Sequence, residues 1–244
     1  MEDRQRRFRA ALEAARDAGR APLIAEIKVR SPKEGDLLVG RDPVQLARRM
    51  ESAGAACLSV VTEGRHFGGS LALLRTVAAA VSLPILRKDF VTGRDDVRAT
   101  SEHGASCLLL IAASLPWPKL VGLHEEAHRH GLETLVEVHD ASQLRQALTL
   151  DLDLLGINNR DISRLETDDG TVANTIRLLG KVPAGVSTIS ESAISDPEEV
   201  RGVLAAGGLG VLIGTSILKA RDPEQAIRRL GLTGEGGCRV RDES

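Results

Sequence analysis

LIAEIKVRSP, residues 23–32, begins as a buried strand and ends in charged and polar residues. Leu23, Ile24, Ala25 and Ile27 suit a strand interior, but Glu26 and Lys28 do not, because an unpaired buried charge is strongly destabilising. Four later stretches repeat the pattern: LRKDF (86–90), LVEVH (135–139), GINNRD (156–161) and ISES (189–192). If these strands run parallel, their polar ends meet on one face and assemble a site from residues distant in sequence.

Outward from these stretches, strands and helices alternate. Apolar runs predict strands at 23–28, 57–61, 83–88, 107–112, 134–138, 153–158, 186–190 and 209–213. Helical periodicity predicts an N-terminal helix over 4–18, then helices at 43–53, 71–81, 94–103, 117–130, 141–149, 168–180, 196–206 and 223–230. Asp42-Pro43 and Asp196-Pro197 are helix starts, and Gly54, Gly104, Gly131 and Gly207 are helix stops. Alternation implies a parallel sheet, and eight units in 244 residues are the size of a (β/α)8 TIM barrel. A doubly wound open sheet is the alternative, but the Gly-rich turn expected after its first strand is missing. The reading is one barrel domain over 1–244, with a short helical extension over 1–22 and a tail over 232–244.

Composition narrows the function. The chain is 42% hydrophobic and 27% charged, with a formal net charge of -2. It carries no electrostatic footprint for nucleic acid or an anionic membrane surface. With 2% aromatics and no Tyr, platforms for stacking bases are scarce. Cys57 and Cys107 lie in apolar runs and read as small core residues, while Cys238 lies in the tail. With no disulfide framework, signal peptide or apolar span, the expected setting is the cytoplasm.

Barrel chemistry sits at the C-terminal strand ends. Those ends are Glu26 and Lys28, Thr62, Lys88, the Ala112 region, Glu137, Asn158 and Arg160, Glu191 and Ser192, and Gly214. Lys88 and Glu137 are the candidate acid and base. With Lys28 nearby, Lys88 is expected to have a depressed pKa, and Glu26 could orient it. Arg160 and Lys28 could hold a carboxylate. SESAIS (190–195) and IGTSILKA (213–220) are loops with the small residues of a phosphate site, TSILKA forming a short extra helix. HEEAH (124–128) fits the H-E-x-x-H pattern of zinc hydrolases. It falls on an outer helix with no evident third ligand beyond His130 or His139 in sequence, so no metal site is expected.

The same segments carry a resemblance. IAEIKxxSP (24–32), HFGGS (66–70), LRKDF (86–90), LVEVHD (135–140), GINNRD (156–161) and SES (190–192) together resemble indole-3-glycerol phosphate synthase, in order, from about residue 22 to 230. The resemblance implies a cofactor-free lyase that closes an indole ring on 1-(2-carboxyphenylamino)-1-deoxyribulose 5-phosphate with loss of CO2 and water. It implies that Lys88 is the general acid, Glu137 the acid/base and Glu26 the support for the lysines. By the same resemblance Lys28 contacts the substrate carboxylate and shares acid duty, Asn158 and Arg160 position the intermediate, and Ser192 belongs to the site. Ser31, Phe90, Glu191, Ala193, Gly214, Thr215 and Ser216 complete the substrate contacts. No partner beyond the phosphorylated small molecule is implied, and the chain is expected to be a monomer or weak homo-oligomer.

Two departures from the family pattern stand out. Ala193 replaces a glycine, which is tolerable only if the backbone there avoids positive φ. The N-terminal segment is short, so the helix expected to help cover the substrate is reduced. Both suit a paralogue acting on a modified anthranilate. A sugar-phosphate isomerase barrel is a weaker alternative, because its usual Cys/Asp or Asp/Asp pair is missing. A non-catalytic scaffold is weaker still, since every main catalytic position is filled.

Overall fold

The computed structural model describes residues 7–160 and 170–231. The tail over 232–244, Cys238, Asp161, residues 1–6 of the expected N-terminal extension and residues 168–169 of the helix expected over 168–180 lie outside them. The sheet is a closed barrel of eight parallel strands: β1 (Leu23–Ile27), β2 (Cys57–Val61), β3 (Ile85–Lys88), β4 (Cys107–Ile111), β5 (Glu133–Val138), β6 (Leu154–Asn158), β7 (Thr188–Glu191) and β8 (Gly210–Ile213). Each strand pairs with its sequence neighbours, and β8 pairs with β1. Closure removes the open edges of the doubly wound alternative.

Helix α1 (Arg7–Asp17) precedes the barrel. Around it run α2 (Pro43–Ser52), α3 (Leu71–Ala78), α4 (Arg94–Glu102), α5 (Trp117–Arg129), α6 (Ala141–Ala147), α7 (Ala173–Leu179), α8 (Pro197–Ala205), α9 (Thr215–Lys219) and α10 (Pro223–Gly231). The caps read from sequence are present. Asp42 accepts the Val44 N–H at the start of α2, and Asp196 with Glu199 forms a capping box on α8. Thr215–Lys219 is the expected short extra helix. The helix expected from 168 begins at Ala173; Gly170 precedes it at φ +57°, a left-handed conformation that breaks a helix. A small hairpin after β1, in which Arg30–Ser31 pairs antiparallel with Gly35–Asp36, was not expected from local patterning.

Side chains alternate across each strand, and this alternation places the site. One set packs outward under the helices: Val60, Leu108, Val136, Leu155 and Val211 are buried there. The other set fills the barrel: Ile24, Leu86, Leu135, Leu154 and Ile189. Two residues beyond Ile24, Leu86, Leu135 and Ile189 stand Glu26, Lys88, Glu137 and Glu191. The pleat therefore turns all four into the C-terminal mouth.

Helix α1 closes the other mouth. Phe8 and Leu12 are fully buried against Cys57, Leu86, Cys107 and Leu135 of the inner core. Glu133, first residue of β5, accepts the Phe8 N–H at 2.6 Å and the Arg9 N–H at 3.2 Å, satisfying first-turn donors that have no intrahelical partner. The amphipathic pattern of this helix left its docking place open, and the structure settles it for α1, whose apolar face meets the barrel's open N-terminal end and not the polar one.

Candidate active site

Two ion-paired groups form the floor of the C-terminal mouth. Lys88 Nζ lies 3.1 Å from Glu191 Oε2 and 3.4 Å from Glu137 Oε2. Lys28 Nζ lies 3.2 Å from Glu26 Oε1 and 5.8 Å from the Phe67 ring centroid. Two glycines make room for the acids. A Cβ on Gly156 would stand 2.1 Å from Glu191 Oε1, and one on Gly214 would stand 2.5 Å from Glu26 Oε1. Glu26 Oε2 and Glu191 Oε1 are buried without a hydrogen-bond partner among the described residues.

This arrangement corrects two expectations. Burial pushes the Lys88 ammonium down, but the carboxylates of Glu191, Glu137 and Glu26 outweigh it and hold Lys88 well above the ordinary lysine range. Lys28 is not among the dominant influences on Lys88, and is itself paired with Glu26. Glu26 therefore braces Lys28, and Lys88 is held by Glu137 and Glu191. The Glu191 carboxyl is raised to about 7, mainly by burial, with Lys88 opposing and Glu137 adding to the shift.

Above the floor lie two adjoining cavities. An apolar one is lined by Phe67, Phe90, Leu109 and Ile111, and Glu137 and Asn158 open onto it. A polar one is lined by Ser192, Ala193, Ser195, Gly214, Thr215, Ser216 and Lys219. Lys28, Lys88, Arg160 and Ser192 border both. One wall is thus suited to an aromatic ring, the other to an anion, and the ammonium of Lys88 stands between them.

Comparison with known proteins decides what this barrel is. Residues 1–230 match the family model described as indole-3-glycerol phosphate synthase. Proteins of that name are similar over most of their length. The one from Pyrococcus furiosus is 43% identical over 216 residues, covering 88% of this chain and 94% of the relative. The one from Hyphomonas neptunium is 43% identical over 214 residues, covering 88% and 80%. The chain belongs to the indole-3-glycerol phosphate synthase family. It is therefore a lyase of the decarboxylative, ring-closing step of tryptophan biosynthesis.

The other sequence candidates are placed as follows. Asn158 Oδ1 accepts the Arg160 N–H at 2.9 Å, which ties these two neighbours at the end of β6. Ser216 donates to the Ile194 carbonyl at 3.0 Å and joins the two loops of the polar cavity. Glu191, read as a substrate contact, is fully buried and lines neither cavity; it acts on Lys88. Ser31 is buried in the hairpin, where its Oγ accepts the Glu34 N–H, and it too lines neither cavity. Thr62 donates to Asp89 at 2.6 Å and accepts from Arg87, a structural tie at the end of β2.

Ala193 departs from its expected backbone. Ser192 has φ 67° and Ala193 φ 55°, so the loop keeps a left-handed path in spite of two side chains. A Cβ on Gly170 would lie 2.9 Å from the Ala193 methyl, so the glycine leaves the space that this methyl needs.

Sequence reasoning missed four residues of the site. Phe67 was visible in HFGGS but was given no role. Leu109 and Ile111 were read as ordinary core; only the inward turn of β4 brings them to the cavity. His139 Nε2 stands 3.4 Å from Glu137 Oε1, a pairing that the LVEVH spacing allowed but did not require.

Proposed function

We propose that this protein converts 1-(2-carboxyphenylamino)-1-deoxyribulose 5-phosphate to indole-3-glycerol phosphate, with Lys88 as general acid and Glu137 as general base. The observation that carries this reading is the position of Lys88, bordering both the apolar and the polar cavity and bracketed by two carboxylates. The aromatic ring packs against Phe67, Phe90, Leu109 and Ile111. The phosphate lies in the loops after β7 and β8 with Lys219. The carboxylate faces Lys28 and Arg160. The ribulose carbonyl then spans the boundary beside Lys88.

The chemistry follows from these groups. The ring carbon that carries the carboxylate attacks the carbonyl carbon, and the developing alkoxide takes a proton from Lys88. The elevated pKa of Lys88 keeps it charged until that oxygen becomes strongly basic, so it stabilises charge first and transfers the proton second. Carbon dioxide leaves and the ring regains aromaticity. Removal of a C1 proton by Glu137, with a second proton delivered to the departing hydroxyl from the lysine side, expels water and completes the indole. Glu26 and Glu191 act through the two lysines. Asn158 and Ser192 hold the intermediate.

The test is turnover of this substrate, followed by indole fluorescence. Wild type is expected to turn over, while Lys88→Ala and Glu137→Gln lose about 10²–10⁴-fold in kcat with the fold intact. Full activity in either folded variant would overturn the assignment of that residue.

A further inference from the structure

Away from the catalytic face, one group of side chains among the described residues has metal-ligand chemistry and no part in the proposed reaction. His124 and His128 lie one turn apart on α5, with ring centroids 4.3 Å apart. Asp153, the residue before β6, closes against them, its Oδ2 2.7 Å from His128 Nε2. Thr134 of β5 orients this carboxylate, donating to Oδ2 from its N–H at 2.9 Å and from its hydroxyl at 3.3 Å. The same hydroxyl lies 2.8 Å from His124 Nδ1. One ligand atom from each of His124, His128 and Asp153 falls within 4.8 Å of the others. The cluster sits toward the N-terminal end of the barrel, with Thr134 three residues before Glu137, about 10 Å along the strand.

The sequence supplied the two histidines in HEEAH but not the third ligand. The fold brings in Asp153, and neither His130 nor His139 takes that place: His130 pairs with Glu126 at 3.2 Å and His139 faces Glu137. Glu125, the general base of the hydrolase pattern, is exposed, whereas His124 is buried. The arrangement therefore offers a chelating donor set without the general base of the hydrolase pattern in place.

We propose that His124, His128 and Asp153 bind a divalent transition-metal ion of the zinc class. Two imidazoles and a carboxylate are a donor set that suits such ions. Ligand atoms of a tetrahedral site with bonds of ~2.0–2.1 Å stand roughly 3.3 Å apart. His128 Nε2 and Asp153 Oδ2 stand 2.7 Å apart and no pair of ligand atoms exceeds 4.8 Å, so modest side-chain rotation closes the site. His128 is 40% exposed, which gives the ion an approach and a fourth position for water. Thr134 supplies the outer hydrogen bond that fixes a ligating carboxylate. The bound ion ties α5 to the start of β6, a stabilising role separate from turnover.

The test is titration of EDTA-stripped full chain with Zn²⁺ against a chromophoric chelator, with Co²⁺ spectra as a second readout. Wild type is expected to bind one equivalent with an intense tetrahedral Co²⁺ band. His128→Ala and Asp153→Asn are expected to weaken Zn²⁺ binding at least tenfold and to lose the band, while turnover of the indole precursor stays at the wild-type rate. Absence of Zn²⁺ binding by wild type, or equal binding by wild type and folded His128→Ala, would overturn the proposal.

Discussion

Lys88 shows how far a residue's chemistry depends on its neighbours. Its type and its place at a strand end mark it as a proton donor, but the direction of its pKa shift follows from three carboxylates contributed by β1, β5 and β7. Burial and charge act in opposite directions there, and charge wins because the pairs are close. Ala193 makes a related point about backbone. At φ 55° an alanine carries strain that glycine would not. Ala193→Gly is expected to raise stability by about 1 kcal/mol, or ~2–4 °C in Tm for a domain of this size. An unchanged or lower Tm in thermal melts would show that the Ala193 methyl, packed beside Gly170, offsets its own strain.

At the scale of elements, α1 is the least expected component in its position. Its amphipathic face was legible from Phe8 and Leu12, but nothing in that pattern says which mouth it closes. The answer lies in Glu133, whose buried carboxylate receives the first N–H groups of the helix. Phe8→Ala is expected to cost about 3–5 kcal/mol in urea unfolding, through lost burial and a cavity in the inner core. Because α1 lies at the end away from Lys88, kcat of the folded fraction should stay at the wild-type value. A fall in kcat that tracks the loss of stability would place α1 in contact with the catalytic mouth after all.

Across the whole molecule, buried charge couples stability to pH. The folded pKa of Glu191, about 7, lies above its ordinary value of 4.5. A raised carboxyl adds stability that is complete below pH 4.5 and is lost as pH rises through 7. Glu191→Gln should therefore remove a fall of up to about 3 kcal/mol between pH 4.5 and 7. Urea unfolding of both proteins at pH 5, 6 and 7 checks this, and parallel slopes would refute it. The proposed role of Lys88 as general acid requires it charged, and the surrounding carboxylates hold it so throughout this range.

Much of the barrel was readable in one dimension, because strand and helix periods, Asp-Pro starts and glycine stops are local properties. The ring of Glu26, Lys88, Glu137 and Asn158 was readable too, since polar residues at the ends of apolar runs have one favourable destination in a parallel barrel. What sequence alone determined was therefore the alternation, the barrel and the residue types at its mouth. Only the tertiary structure decided which charges pair, that Glu191 lies beneath the site, that α1 closes the far end, and that Asp153 joins His124 and His128. These outcomes rest on contacts between residues many positions apart. Their distances and desolvation are set by the packing of the closed barrel, not by any local pattern along the chain.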